Sequence, residues 1–359
     1  MAYLSDYLGF PGLSSIPIGG NVGSTVIGEG VNFKYTKTAV SRASYPILSA
    51  SYPYNTVSYE AVMQTLPSSQ TWCSCAYGNG MYVALATGSV GAVSRDGINW
   101  TQITLPASGA WQDVIYANGL FVAVAFETNI AITSPDGLNW TQRALPASAN
   151  WCSLAFGNGV FVAIAGDTVA DTTAATSPDG IAWTAQTLPS SQKWNSVAFG
   201  NGIFVAVNAT NSAYSSNGTS WTLGATAPVA SGNGSCLSFG SGVFVSVSGT
   251  SASYSTDGSH WTNVTLPTGT GTTYQSIAFG NGVFFTTDGY SAAQSSDGIH
   301  WTQVAIPTLG TCESVGYGNG LFIATSAATS ALSVWMEALA LPSQYVYLAG
   351  TANQLVRVI

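Results

Sequence analysis

Side chains that perform chemistry are scarce in this sequence. Its 359 residues include fifteen Asp and Glu, two His, five Cys and a total of seven Lys and Arg. Charged residues make up 6% against a typical ~25%. Two carboxylates facing a cleft would suffice for glycoside hydrolysis, so the acids are the first residues to place. A zinc site needs clustered Cys and His at defined spacing. Cys73 and Cys75 are too close for that spacing, and His260 and His300 lie far from them in sequence. Neither a metal nor a cofactor is expected. Cys152, Cys236 and Cys312 complete an odd and irregular set, which argues for small buried hydrophobes rather than a disulfide framework. Seven scattered cations cannot form the basic stripe that neutralises phosphates, so nucleic acid is excluded as a partner.

Composition bounds the scaffold. The chain is 46% hydrophobic and 12% aromatic, with net charge -8. It can bury a core, which argues against disorder, and it lacks the Glu, Lys and Leu richness of helical bundles. Ser, Thr, Asn and Gly must solvate it in place of charge. Residues 1–20 show no basic region followed by an apolar one, so no signal peptide is expected. The most apolar window, 321–341, contains Glu337 and many Ser and Thr. It reads as buried strands, and no membrane insertion is expected.

A repeat organises most of the chain. The segment Trp-Cys-Ser-Leu-Ala-Phe-Gly-Asn-Gly-Val-Phe-Val-Ala-Ile, residues 151–164, recurs as 72–85, 111–124, 194–207, 234–247, 274–287 and 312–325, at steps of 38–43 residues. After each of the first six copies comes Ser-x-Asp-Gly-x-x-Trp, beginning at Ser94, Ser134, Ser177, Ser215, Ser255 and Ser295, with Asn217 replacing Asp in the fourth. A seventh, around Ser333 to Pro342, has lost its Asp-Gly. Period-2 alternation, Gly-Asn-Gly and Asp-Gly turns and a terminal Pro read as four short antiparallel strands. Four strands per ~40 residues is a propeller blade.

The fold class expected is therefore all-β: a β-propeller of four-stranded antiparallel blades over 43–359, preceded by an extended arm at 1–42. The segment 345–358 aligns with the first hairpin of a blade, and 59–67 matches a fourth strand, with a third within 43–51. Joining them gives a shared blade and a total of eight. Seven blades, with the C-terminal hairpin elsewhere, is the alternative.

Ten of the eleven Trp occupy two repeat positions, which marks them as core rather than sugar-stacking platforms. His260 and His300 precede the turn Trp at a position that also holds Asn99, Asn139, Ala182 and Ser220. Such tolerance suits an exposed turn better than a catalytic base.

Ser-x-Asp-Gly-x-x-Trp resembles the Asp box of sialidase-like propellers, shortened by one residue. The resemblance spans about 72–342 and implies that Asp96, Asp136, Asp179, Asp257 and Asp297 are turn acceptors remote from any catalytic centre. Sialidases of that family grip a carboxylate with three arginines and use a Tyr–Glu pair and an Asp. Here only Arg42, Arg95, Arg143 and Arg357 exist, and no three of them can be argued to converge. No catalytic residue is assigned.

The loops between second and third strands, and between blades, vary in sequence and share one face. Variable loops on a rigid scaffold are where recognition concentrates. Glu127, Asp167, Asp171, Asp288, Tyr290 and Lys193 are the binding candidates there. The chain also resembles phage structural and receptor-binding proteins in its low charge, its Ser/Thr/Gly/Asn surface and its short arm. That resemblance implies a non-enzymatic bacteriophage virion protein of tail, fibre or capsid exterior, assembled in the host cytoplasm. Its arm would dock to other virion proteins, its variable face would meet a host glycan or receptor, and it would form a homo-oligomer. A glycan-active hydrolase of the Asp-box propeller type is the alternative.

Overall fold

Gly-Asn-Gly makes the first reversal of each repeat. Asn158 and Gly159 hold φ of 48° and 77°, and the same pair of positive values recurs at Asn79, Asn118, Asn201, Ser241, Asn281 and Asn319 with the glycine that follows each. Two successive left-handed residues make the type I′ turn, whose twist matches that of the strands it joins. The register runs back from the turn as Gly157↔Val160, Phe156↔Phe161 and Ala155↔Val162.

The computed structural model describes residues 61, 63–166, 168–208, 210–226, 228, 236–267, 274 and 276–326. It also describes the backbone strands within 26–37, 58–62, 332–339, 345–347 and 355–358. Among these residues the repeats form seven antiparallel blades of four strands, five of them separate sheets and two joined in one seven-stranded sheet. Blade 3 is representative: Trp151–Gly157, Val160–Ala165, Asp171–Ser177 and Thr184–Gln192, in that spatial order. Blades 1 and 2 share one continuous strand, Thr101–Ala117, which is the fourth of one and the first of the next. Blades 4, 5 and 6 begin at Ser196–Gly200, Cys236–Gly240 and Ser276–Gly280.

Among the described residues, blade 7 follows the seven-blade alternative. Its strands are Cys312–Gly318, Leu321–Ser326, Leu332–Leu339 and, as the fourth, Ser58–Thr65. The segment near 59–66 is a fourth strand, as expected, but it completes the seventh repeat rather than an eighth blade. The C-terminal hairpin, Tyr345–Tyr347 and Leu355–Val358, pairs instead with Tyr35–Lys37 in a separate three-stranded sheet. The proposed third strand within 43–51 lies outside the described residues. The seventh repeat lacks Asp-Gly for a physical reason: no hairpin joins its third strand to a fourth that comes from the other end of the chain.

The first strands adjoin one another in cyclic order, and that of blade 7 lies beside that of blade 1. A propeller buries its apolar surface between neighbouring sheets. Accordingly there are seven core clusters, one at each interface among the described residues. The blade 7–blade 1 cluster joins Leu66 and Trp72 to Leu321 and Ile323. Ala61 and Met63, on the returning strand, pack against the cluster between blades 6 and 7.

Two repeated contacts set the spacing of the ring. The glycine ending a first strand receives an aromatic ring of the next blade. A Cβ on Gly200 would clash with the Phe239 ring, and one on Gly318 would clash with Tyr77 in the same way. Trp72, Trp111, Trp151 and Trp194 are fully buried. Trp151 Nε1 donates to the Ala147 carbonyl at 3.2 Å and Trp194 Nε1 to that of Ser190 at 3.1 Å. At the closing interface, where later blades have Phe, Tyr82 donates its hydroxyl to the Gly318 carbonyl at 2.6 Å.

The chain divides into two units, Tyr59–Ala338 and the combined ends Met1–Ser58 and Leu339–Ile359. The arm boundary expected at residue 42 lies outside the described residues. No helix among the described residues is long and apolar enough to cross a membrane, and the window from 321 contains the strands Leu321–Ser326 and Leu332–Leu339.

Candidate functional site

Five acids are consumed by the Ser-x-Asp-Gly turns. Asp96 Oδ1 accepts the Ile98 and Asn99 N–H groups at 2.9 and 2.8 Å and the Ser94 hydroxyl at 2.9 Å, while the Ser94 oxygen accepts the Gly97 N–H at 2.9 Å. Asp136, Asp179, Asp257 and Asp297 repeat the pattern. The backbone N–H of Asn99 leads the interactions that hold the Asp96 carboxyl well below the usual carboxylate range, and that of Asn139 does so for Asp136. At Asp257 and Asp297, burial opposes the shift and is outweighed by bonds from His260 and His300. Those two imidazoles bond their Asp neighbours through Nδ1 at 2.8 and 2.7 Å and are otherwise exposed. Asn217 Oδ1 accepts the same two N–H groups at 3.0 Å. Asp179→Asn is therefore expected to leave stability nearly unchanged. Asp179→Ala should cost about 1 kcal/mol, measured by urea unfolding of both variants.

The Gly-Asn-Gly turns are tied to these turns across blades. Asn158 Nδ2 donates to Ser216 O at 2.9 Å, Asn201 Nδ2 to Thr256 O at 3.1 Å and Asn79 Nδ2 to Pro135 O at 3.2 Å. This face is a structural network in which the polar groups satisfy one another.

The opposite face holds the binding candidates. Glu127 is exposed and forms the whole turn between Leu120–Phe126 and Thr128–Ser134, at φ 56°. The blade 1 counterpart is Gly88 at φ 95°. A side chain in the left-handed region carries a steric penalty, so Glu127→Gly should raise stability by about 1 kcal/mol, visible as a higher melting temperature. Asp171 Oδ1 accepts the Thr172 and Thr173 N–H groups at 2.7 and 3.0 Å, which closes a local turn. Asp288 is buried, and its Oδ1 accepts the Tyr290 and Ser291 N–H groups at 2.8 and 2.6 Å. It is a turn former, like Asn208 in blade 4, which accepts Thr210 N–H and Asn211 N–H. Tyr290 and Lys193 are exposed, and Asp167 lies outside the described residues. These candidates come from blades 2, 3 and 6 and from the crossover into blade 4. Among the described residues, ion pairs form only at His260 and His300.

The arginines are likewise dispersed. Arg95 is exposed in the first Asp-Gly turn, and Arg143 Nε donates to Thr133 Oγ1 at 3.1 Å on the outer part of blade 2. Arg42 lies outside the described residues.

Two acids on the first strands were not among the candidates. Most first strands carry a serine whose hydroxyl oxygen accepts an N–H of the next blade. Val114 N–H reaches Ser74 at 3.0 Å, Val197 N–H reaches Ser153 at 3.1 Å and Val315 N–H reaches Ser276 at 2.8 Å. Blade 2 has Asp113 there, and its Oδ2 accepts Leu154 N–H at 2.8 Å and the Ser153 hydroxyl at 3.3 Å. Burial pushes the Asp113 carboxyl up to about 6, against the opposing pull of these bonds. Glu313, at the bulge in the blade 7 first strand, is also raised by burial. The departure of Asp113 from a serine column was the signal that aligning the repeats could have yielded.

All five thiols also lie on first strands. Burial raises Cys73, pushes Cys75 up to about 11 and raises Cys312 well above the ordinary thiol value, which keeps these thiols protonated and unreactive. Among the described residues no group of three His, Cys, Asp or Glu could hold a metal ion. At the Gly-Asn-Gly end of the ring a cavity of about 310 Å³ opens between the first strands of blades 2 to 5, lined by 115–117, 154–156, 197–199 and 237–239.

Strand order and cyclic closure define a β-propeller. Solved structures share the fold across most of the chain. A streptogramin B lyase aligns at 11% identity over 78% of this chain and 97% of its own, with TM-score 0.65. YCF48 bound to D1 peptide aligns at 15% identity over 79% and 97%, with TM-score 0.57. The WD40 β-propeller domain of Doa1 aligns at 14% over 78% and 97%, with TM-score 0.58. The sequence matches no family model and no curated protein. The neighbours include an enzyme and propellers of other kinds, so the likeness carries the fold alone.

Proposed function

We propose that this propeller is a non-enzymatic component of a bacteriophage virion exterior, a tail, fibre or outer capsid part that meets a host glycan, a receptor or a neighbouring subunit through its variable face. One observation carries the non-enzymatic part. Eight acids serve as architecture: five in the Asp-Gly turns, Asp171 and Asp288 in turns of their own and Asp113 in the ring. More than half of the fifteen acids are thus committed to architecture, and Glu127 stands apart on a single tight turn. The Asp-box resemblance and the scarcity of charge support the virion reading. The segment 1–42 would be the docking arm, and the assembled protein a symmetric homo-oligomer.

Native mass spectrometry of purified particles tests the location and copy number together, and absence from the particles ends the virion reading. A protein lacking 1–42 loses the Tyr35–Lys37 strand from the sheet of the C-terminal hairpin, but its blades should still fold and it should fail to incorporate. Glycoside hydrolysis needs only two carboxylates facing a cleft, so the hydrolase reading is tested directly. Glycosidase assays with Glu127, Asp167, Asp171 and Asp288 substituted singly would reveal it through loss of an activity the parent protein possesses.

A further inference from the structure

The cavity at the Gly-Asn-Gly end of the ring lies on the face opposite the variable loops, and the function proposed above does not use it. We propose that it binds a neutral molecule combining an apolar body with amide-type hydrogen-bonding groups.

Three observations carry this. The first is size: about 310 Å³ falls at the lower end of ligand pockets, which run from ~300 to 1,000 Å³. The second is charge. None of the lining residues is ionic, and the only polar side chains there are Tyr116 and Ser238. A charged ligand would lose its hydration without gaining a partner, so the occupant is neutral.

The third is the backbone. Each first strand is the inner edge of its sheet, paired on one side only in this region. Gly157 and Val160 flank a two-residue type I′ turn and exchange their hydrogen bonds across it. By alternation, the N–H and C=O of Phe156 point away from the partner strand and toward the ring axis. Tyr116, Phe199 and Phe239 hold the same register positions. Two residues earlier, at the preceding outward-facing position, the N–H groups of Leu154, Val197 and Leu237 are already taken by Asp113, Ser153 and Ser196. The donors and acceptors of the aromatic tier therefore remain available to a ligand. Four sets of backbone amides around an apolar cup are complementary to an amide that carries an aromatic or branched group.

The test uses the full chain with methyl-labelled Ile, Leu and Val, titrated with N-acetyl-phenylalaninamide. The methyl signals of Ile115, Leu154, Val197 and Leu237 should shift and saturate together. Ser238→Ile and Ala198→Ile place in blades 5 and 4 the side chain that blade 2 already holds at Ile115, so both are compatible with the repeat. Each should weaken binding tenfold or more, while Tyr290→Ala on the other face leaves it unchanged. A capped peptide with a central Phe separates the two sources of this chemistry. Tighter binding than the single amide indicates a segment of a partner protein, and equal binding indicates a free small molecule. Absence of methyl shifts up to the solubility limit of the probe, or shifts that both filled variants retain at full affinity, overturns the proposal. Neither result depends on virion location.

Discussion

Trp151→Ala is expected to lower the free energy of unfolding by about 3–5 kcal/mol. The indole is fully buried in the cluster between blades 2 and 3, against Val122, Leu145 and Phe161. Truncation removes that packing, leaves a cavity that β-sheets on both sides hold open, and orphans the Ala147 carbonyl that the indole N–H satisfies at 3.2 Å. Trp140 provides the internal comparison. It is only partly buried and bonds the Gly137 carbonyl of its own turn at 2.8 Å, so Trp140→Ala should cost clearly less. Equilibrium urea unfolding of the two variants checks the order. A Trp151→Ala protein as stable as its parent would show that the first-strand tryptophans are not the core.

The second large effect concerns acidity. The Asp113 carboxyl, about 6 in the folded chain against 3.8 ordinarily, binds its proton more tightly when folded. Its contribution is therefore fully present below about pH 3.8 and is lost as pH rises through about 6. The difference corresponds to about 3 kcal/mol across that window. Glu313 is shifted in the same direction by burial. The Asp-Gly turn acids are shifted the other way, so their contribution holds above their ordinary range and fades only as pH falls below it. Between pH 4 and pH 7 the ring acids therefore dominate the slope. Asp113→Ser restores the residue found at Ser74, Ser153 and Ser276, where a hydroxyl accepts the same kind of N–H. The variant should match the parent near pH 4 and exceed it at pH 7.5 by up to about 3 kcal/mol. Parallel stability curves for the two proteins would refute the assignment.

Much of this architecture was legible because turn chemistry is local. Asn79 and Gly80, or Ser94 and Asp96, declare their reversals within a few residues, and repetition makes the strands between them unmistakable. Blade closure was not local. The partner of Leu332–Leu339 comes from Ser58–Thr65, and its sequence traces were the fourth-strand pattern at 59–67 and the missing Asp-Gly after the third strand, neither of which names the other. The site was harder to read for a related reason. In an ordinary sheet, a polar residue at alternate strand positions faces water. In a ring, both faces of each first strand pack on neighbouring blades, so Asp113 is half-buried at a position that alternation marks as open. Asp288 looked like a free loop acid, but its bonds to the N–H groups of Tyr290 and Ser291 show how a short carboxylate is absorbed by its own loop.

The returning strand also sets the order of assembly. Ser58–Thr65 precedes every repeat in the chain, yet its partner is completed only with the seventh. Six blades can form from neighbouring sequence as they are made, whereas the last pairing spans almost the whole polypeptide and bears the entropy of closing so long a loop. Until then Leu332–Leu339 presents an open edge, and an open edge accepts any matching strand. A second chain carries an identical Ser58–Thr65. Dilute refolding therefore favours closure within one chain, and concentrated refolding favours strand exchange between chains.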